Sequence, residues 1–396
     1  MMNFSDLLAF YNDHLMNEVM PFWLKYSIDD AHGGINNIIA DDGRVLSTDK
    51  FLWSQGRAIW TFSGLFNYID GDEKWIDIAR PIVDFVVKNG RTDDGKWNFK
   101  LHADGSVAEH PKSIYVDAFI AYGMTEFFRA TGERDAIDLA VDIYGRTTDL
   151  LDDHANLPTE PHPIPEGLQS HGPLMIFAHV YHELGLATGN REILERALKL
   201  ADRIMKEHVK PERRMLYELV RPGGELADTD AGNTFLPGHS IESMWFLERI
   251  YDHWGRKDMV KMAMEVIRWN LESGWDDEFG GLYLARHAKG GEPVWHQPDA
   301  KVWWPHTEAL YALLRAYEVT GEDWCMDWYW KVHEYSFNRF PDAEHGDWHQ
   351  NLDRRGNVIE PVIKNLAVKD PFHLPRALIL SILVLRRLTG SSCPQG

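Results

Sequence analysis

The sequence predicts an all-α fold, a closed (α/α)6 barrel of six helical hairpins with short β-hairpin loops on one face. Polar turns centred on glycine recur roughly every 57–69 residues, and each lies between two stretches with apolar residues at helical spacing. After each second helix comes a short segment rich in glycine, aspartate and aromatic residues. No linker rich in proline and serine interrupts the series, so we predict one domain over residues 1–396.

The glycine turns predict where the helices end and begin. Glycine suits the C-terminal cap of a helix because it adopts a positive φ without strain, and the acidic or amide residue after it suits the next helix start. The stretch 193–205, which follows one of these turns, has apolar residues at a 3.6-residue period. The turns are centred on Gly71, Gly132, Gly189, Gly255 and Gly321, and Gly390 ends the last helix.

The longer segments between hairpins predict brief strands and tight turns. Residues 29–35, 93–97, 276–283 and 345–348 combine glycine and aspartate with aromatic or β-branched residues. Loops of this kind would gather on one face of a ring of hairpins and build a site there. An open solenoid is the alternative, and the large aromatic side chains favour closure.

Composition excludes several classes of function. The formal net charge of −20 argues against nucleic acid and against an anionic membrane surface. No stretch approaches the roughly 18–20 uncharged apolar residues of a membrane span, and the first residues do not resemble a signal peptide. Cys325 and Cys393 lie far apart, which disfavours a disulfide framework and indicates a cytoplasmic compartment. The 16 Trp residues fit either a core of large side chains or a surface that stacks on sugar rings.

Polar residues begin several otherwise apolar helices, in the segments 53–60, 236–245, 301–311 and 370–376. In the first segment, Arg57 needs a partner because an unpaired buried charge is costly. An ion pair inside the helix bundle is one interpretation. A positive donor aimed at a substrate oxygen, where charge develops in an enolate-like transition state, is the other. In the third segment, Glu308 is either a helix-start carboxylate favoured by the helix dipole or a site residue.

Two histidines each have a polar partner three residues further on, which places both members on one helix face. His239 pairs with Glu242, and His373 pairs with Arg376. Imidazole, with an unperturbed pKa of about 6.5, can serve as base or acid near neutrality. We expect the positive end of its helix to lower the pKa of His239, and Glu242 to orient the ring.

Other chemistries have weaker support. The sequence has no glycine-rich phosphate loop, and its histidines lack the close spacing of metal ligands, so we predict no metal site. A glycoside hydrolase with paired carboxylates is the main rival, with Asp117, Asp228 and Asp230 as candidate acids. A sugar-binding barrel without catalysis is a third hypothesis.

Five motifs together resemble the N-acylglucosamine 2-epimerase family, in order and over nearly the whole chain. They are His-Gly-Gly-Ile at 32–35, Trp-Ser-Gln-Gly-Arg at 53–57, Pro-Gly-His-Ser-Ile-Glu at 237–242, Trp-Trp-Pro-His-Thr-Glu-Ala at 303–309 and Phe-His-Leu-Pro-Arg at 372–376. The resemblance implies an (α/α)6 barrel that acts as a sugar 2-epimerase or an aldose–ketose isomerase. It also implies a cytoplasmic protein, a homodimer or a monomer, whose partner is a small sugar.

The resemblance also implies roles for individual residues. His239 and His373 would exchange the C2 proton on opposite faces of the opened sugar, and Arg57 would stabilise the developing oxyanion. Glu242 and Glu308 would orient histidine and substrate, while Arg376 would support the C-terminal pair. The implied substrate contacts are Trp303, Trp304, Trp348 and Met175. No cofactor is required, and ATP as an allosteric activator has no matching motif here. The His-Leu-Pro-Arg ending favours a monosaccharide, either N-acetylglucosamine/N-acetylmannosamine or glucose/mannose.

Overall fold

The computed structural model describes residues 2–153, 157–359, 363–365 and 369–391, and these residues are predominantly helical. The chain divides into two compact units. The first consists of Met1–Gly145, Phe340–Gln350 and Glu360–Gly396, and the second of Arg146–Arg339 and Asn351–Ile359. The predicted single domain stays a prediction. Cys325 is buried and unbridged, and Cys393 lies outside the described residues.

The α-helices follow the predicted hairpin series. In chain order they are α1 (Phe4–Asp13), α2 (Met20–Tyr26), α3 (Leu52–Leu65), α4 (Lys74–Asn89), α5 (Ile114–Thr131), α6 (Arg134–Thr147), α7 (His171–Thr188), α8 (Arg191–Glu207), α9 (Asp230–Asn233), α10 (Pro237–His253), α11 (Lys257–Gly274), α12 (Trp303–Thr320), α13 (Asp323–Arg339) and α14 (His373–Thr389). Two π-helical turns, His14–Val19 and Phe66–Asp70, join α1 to α2 and extend α3.

The strands are short and all pair in antiparallel fashion. They are β1 (Ile38–Ala40), β2 (Val45–Ser47), β3 (Lys50–Phe51), β4 (Lys100–Leu101), β5 (Val107–Glu109), β6 (Gln169–Ser170), β7 (Val209–Lys210), β8 (Met215–Leu216), β9 (Leu219–Val220), β10 (Thr234–Phe235), β11 (Arg286–His287), β12 (Lys301–Val302), β13 (Asn351–Leu352) and β14 (Ile363–Asn365). The first unit holds the sheets β14-β1-β2 and β3-β4-β5, and the second holds the pairs β6-β9, β7-β8, β10-β11 and β12-β13.

In the first unit, α3 packs against α4, α5 and α14, and α14 also packs against α1. The last helix of the chain, α14, therefore packs against the first one, α1. Two glycines let α3 and α5 approach closely. A Cβ on Gly56 would lie 2.5 Å from the carbonyl oxygen of Phe119, and one on Gly123 would lie 2.3 Å from that of Gly56. Only glycine fits a helix contact this close.

In the second unit, α7, α10 and α12 each pack against the helix that follows, and α10 also contacts both α7 and α12. Burial explains this arrangement. Most residues of α7 and α12 are buried, on all sides of each helix. In contrast, α8 buries one stripe at helical spacing, formed by Ile193, Leu194, Ala197, Leu200, Ala201 and Ile204. The three packed helices carry the candidate residues of this unit.

The sequence-predicted glycine caps are confirmed. Helices α5, α7, α12 and α14 end at Gly132, Gly189, Gly321 and Gly390, each in the left-handed conformation with φ between 66° and 74°. Gly71 and Gly255 also have a positive φ at the other two turns. After Gly189, the Asn190 side chain accepts hydrogen bonds from the backbone of Glu192 and Ile193, which starts α8.

The predicted loops also form, and each is closed by a single antiparallel bridge. The bridges join Ile28 to Ile35, Arg91 to Trp97, Trp275 to Leu282 and Pro341 to Trp348. In three of these loops, an aspartate pairs with a buried lysine that lies outside the loop, shortly before a helix. Lys50 reaches Asp29 at 2.7 Å, Lys301 reaches Asp276 at 3.1 Å, and Lys369 reaches Asp347 at 2.9 Å. Because an uncompensated buried charge is costly, each pair ties its loop to the start of α3, α12 or α14.

Most of the tryptophan content belongs to the cores of the units. Trp23, Trp75, Trp97, Trp245, Trp303 and Trp348 are less than 2% exposed. The predicted core of large side chains is therefore confirmed for these residues. Among the described helices, none combines the length and apolar character needed to cross a bilayer.

Candidate active site

His239 is the third residue of α10, in the second unit. Leu236 is extended and Pro237 occupies the first helical position, where its missing N–H costs no helix hydrogen bond. Gly238 permits a close approach of α12, since a Cβ there would lie 2.7 Å from Pro305 and from the Trp304 ring. The rings of His239 and Trp304 are 5.2 Å apart. The His239 side chain remains 28% exposed, so it is accessible to a ligand.

The His239 ring contacts a carboxylate that the sequence did not identify as its partner. Nδ1 of His239 lies 3.2 Å from Oε2 of Glu218, and Nδ1 of His171 lies 3.2 Å from the same oxygen. The pairing of β6 with β9 brings Glu218 beside Ser170, whose hydroxyl donates to Oε1 at 3.3 Å. Glu218 is therefore a partner of His239 that the sequence did not indicate, and the orienting role of Glu242 stays a prediction.

The charges around His239 reverse the predicted direction of its pKa. Burial alone would lower the pKa, but the Glu218 carboxylate in hydrogen-bond contact, with a further contribution from Glu242, raises it. A full negative charge at 3.2 Å outweighs the half charge at a helix end, so the prediction of a lowered pKa was wrong. Burial would raise the pKa of Glu218, and the two imidazoles instead hold it well below its usual range.

Two further carboxylates lie on the same packed helices. Glu242 follows His239 by one turn of α10 and is 5% exposed. Glu308 belongs to α12 and is 1% exposed, and its Oε2 accepts a hydrogen bond from the Trp245 indole N–H at 2.9 Å. The sequence left open whether Glu308 is a helix-start carboxylate. Its depth in α12 and its tryptophan donor instead place it inside the unit.

The candidate sugar contacts of this unit differ in accessibility. Trp304 is half-buried and lies beside His239, whereas Trp303 is 1% exposed. Met175 is 5% exposed and follows His171 by four residues on α7, which puts the two on one helix face. Trp304 is therefore the tryptophan of this pair that can present a ring face to a ligand.

Arg57, in the first unit, lies against both a carboxylate and aromatic rings. Its guanidinium donates to Oδ2 of Asp370 at 3.4 Å and lies 4.0 Å over the Phe119 ring. The close α3–α5 contact at Gly56 brings it there. The structure agrees with both interpretations of Arg57. The ion pair inside the helix bundle exists, and the side chain is still 12% exposed, as a donor to a substrate must be. Burial raises the pKa of Asp370, an effect that Arg57 and Arg376 offset only in part.

His373 and Arg376 begin α14 in the same unit, and both flank Phe372. The His373 ring, on a residue that is 8% exposed, lies 5.3 Å from the Phe372 ring in an edge-to-face arrangement. The fully buried Arg376 places its guanidinium 4.5 Å over Phe372, while Arg57 lies 5.2 Å from the same ring. Phe372 thus contacts two cations, a role that its place in the motif did not indicate.

Three sequence-based candidates lie in places that do not suit their predicted roles. Trp348 is fully buried, stacks on Phe340 and donates its indole N–H to His14 at 2.8 Å, so it offers no ring face to a sugar. The predicted substrate contact at Trp348 is therefore dropped. The carboxylates of Asp228 and Asp230 are 82% and 75% exposed, and Asp228 pairs with Lys289. Such exposed acids do not form the protected pair that a hydrolase needs.

Similarity to known proteins shows that this predominantly helical chain is an isomerase of the epimerase class. A model of the family described as N-acylglucosamine 2-epimerase matches residues 33–373. The human N-acylglucosamine 2-epimerase is 29% identical, over 96% of this chain and 90% of its own length. Cellobiose 2-epimerase of Ruminococcus albus is 25% identical, over 87% and 90% of the two chains. The structure of cellobiose 2-epimerase from Bacillus thermoamylovorans superposes with a TM-score of 0.84 at 18% sequence identity. The superposition covers 96% of this chain and 99% of that one.

The chain belongs to the N-acylglucosamine 2-epimerase family. The resemblance inferred from five motifs is thereby confirmed.

Proposed function

We propose that the protein is a sugar 2-epimerase, an isomerase that interconverts the C2 epimers of a monosaccharide. The substrate pair is N-acetylglucosamine/N-acetylmannosamine or glucose/mannose. The observation that carries the proposal is an accessible imidazole, His239, held by the Glu218 carboxylate and lying beside the half-buried ring of Trp304. This arrangement supplies a base next to a surface on which a sugar can stack, in a chain of the matching family.

The chemistry needs an acidic carbon and two bases. When the sugar ring opens, the C1 aldehyde makes the C2 proton acidic. One histidine takes that proton, and the electron pair of the C2–H bond forms a C1–C2 double bond while charge moves to the aldehyde oxygen. The other histidine returns a proton to the opposite face of C2. His239 and His373 are the two histidines that we propose for these steps.

Charged groups support the proton transfer. Arg57 is the proposed donor to the developing oxyanion, because a fixed positive charge helps most where negative charge appears only in the transition state. Its contact with Asp370 and Phe119 keeps the guanidinium in place before substrate arrives. Glu242 and Glu308 are proposed to orient the substrate hydroxyls, and Arg376 to support the start of α14.

The wider features follow the same proposal. We propose that the hairpins close into an (α/α)6 barrel, a fold supported by the similarity to the solved cellobiose 2-epimerase. The proposed protein acts in the cytoplasm as a homodimer or a monomer. The reaction requires no redox or group-transfer cofactor because it moves one proton off and onto the same carbon. Stimulation by ATP stays a prediction.

A panel of free sugars tests this function. We would incubate the protein in deuterated water with N-acetylmannosamine, mannose, glucose and a β-glucoside, each with and without ATP, and follow the products by NMR. The proposal expects the C2 epimer of one sugar, with deuterium at C2. Fructose with deuterium at C1 would indicate aldose–ketose isomerisation instead, and release of glucose from the glucoside would indicate a hydrolase.

A further inference from the structure

The Glu218 carboxylate lies between two histidine rings. Oε2 is 3.2 Å from Nδ1 of His239 and 3.2 Å from Nδ1 of His171, and the two rings are 5.9 Å apart. Glu218 belongs to the short segment between β8 and β9, where its carbonyl oxygen accepts the backbone N–H of His171 at 3.1 Å. The side chain is only 12% exposed. Backbone pairing and Ser170 thus fix the carboxylate before any ligand is present.

An ionised carboxylate only accepts hydrogen bonds, so the nitrogen that faces it must carry the proton. At His239 this nitrogen is Nδ1. The neutral ring then has its lone pair on Nε2, the nitrogen turned away from Glu218. We propose that Glu218 is the positioning residue that fixes this tautomer of His239, leaving Nε2 to exchange the C2 proton. This role rests on the proposed function.

His171 contacts the same Glu218 carboxylate as His239, and it therefore limits the effect of that negative charge on the basicity of His239. It is fully buried, and Nδ1 faces the same oxygen. Removing Glu218 should lower the basicity of His239, whereas removing His171 should leave the full charge of Glu218 to His239 and raise it. The other titratable groups near His239 are Glu242 on its own helix and His162 in the loop before β6. Burial and the charge of His239 lower the pKa of His162.

The variants Glu218→Gln and His171→Gln test the proposal by opposite shifts. In the direction in which His239 acts as base, Glu218→Gln should move the acidic limb of kcat/KM to lower pH by about one unit and reduce kcat about 100-fold. Glu218→Asp should restore part of the rate. His171→Gln should move the same limb to higher pH. Glu212→Gln removes one exposed negative charge from the turn between β7 and β8, and it should change neither kcat nor the pH profile.

A second measurement is independent of turnover. In protein labelled with ¹⁵N-histidine, NMR should show His239 protonated at Nδ1 in the natural chain and a mixture of tautomers in Glu218→Gln. An unchanged tautomer together with an unmoved pH profile would overturn the proposal. If the natural protein turned over no sugar, the proposed function would fail, while the tautomer shift would still decide the role of Glu218. Circular dichroism establishes that each variant is folded.

Discussion

Arg57 donates to the Asp370 carboxylate at 3.4 Å while its guanidinium lies over Phe119, with 4.0 Å between the guanidinium carbon and the ring centroid. Arg57 and Asp370 are 313 positions apart in sequence, and their contact joins α3 to the segment just before α14. A planar guanidinium can make both contacts at once, whereas a lysine ammonium cannot.

Arg57→Lys should therefore impair catalysis more than folding. The variant keeps the positive charge near Asp370 but loses the stacked, forked donor, and we expect kcat to fall about 100-fold with a smaller change in KM. Steady-state kinetics and urea unfolding would measure the two effects. Arg44→Lys, at an exposed pair with Asp42, is the matched control. Unchanged kcat in Arg57→Lys would remove Arg57 from the mechanism.

Gly238→Ala should separate Trp304 from His239. The new Cβ would lie 2.7 Å from the Trp304 ring and from Pro305, so α12 or the tryptophan must shift. We expect KM to rise and kcat/KM to fall about tenfold, an estimate based on the sensitivity of rates to small displacements of positioned groups. Gly145→Ala is the control, since a Cβ there meets nothing within 4 Å. Equal kinetics in both variants would show that the Trp304–His239 contact is dispensable.

Trp245→Phe should destabilise the second unit. The substitution removes the N–H that Glu308 accepts at 2.9 Å and leaves a buried carboxylate without this donor, at a cost of about 1–3 kcal/mol in the free energy of unfolding. Trp324 makes the corresponding bond to the exposed Glu322, so Trp324→Phe should cost less than about 0.5 kcal/mol. Urea unfolding of both variants gives the comparison. A loss in Trp324→Phe as large as in Trp245→Phe would contradict the buried role of Glu308.

The free energy of unfolding should fall as the pH drops below about 6.5. Burial lowers the pKa of His306 to about 3 and that of His14 to about 4, although His306 keeps bonds to Val302 O and Leu282 N. Between these values and 6.5, the unfolded chain binds protons that the folded chain does not. Each histidine therefore contributes a loss of up to about 1.4 kcal/mol per pH unit.

Urea unfolding at pH 7 and pH 5 measures this effect. His306→Asn should lose less stability between the two pH values than the natural chain does, because its side chain does not titrate. An identical pH dependence in His306→Asn and the natural chain would contradict a buried neutral imidazole.

Local sequence patterns predicted the helices well because the start and end of a helix depend on residues that are close together in the chain. A glycine after an apolar stretch can end a helix by adopting a positive φ, and Gly132, Gly189 and Gly321 do so. The start of α10 at Pro237 follows from the same kind of rule.

Contacts between distant segments were not predictable in this way. Glu218 reaches His239 only because β6 pairs with β9, and the residues around Glu218 carry no motif that indicates this pairing. The sequence instead offered Glu242, the nearest acid on the same helix face. Trp348 was misjudged for a similar reason, since its burial depends on contacts with Phe340 and with His14, 334 positions away.

The most direct test of the central claim is the exchange of the C2 proton in single-histidine variants. We would follow His239→Gln and His373→Gln by NMR in deuterated water, using the sugar that the natural protein turns over. The proposed mechanism predicts deuterium at C2 of both epimers with the natural protein and a loss of epimerisation of at least about 1,000-fold in each variant. Epimerisation near the natural rate in both variants would contradict it.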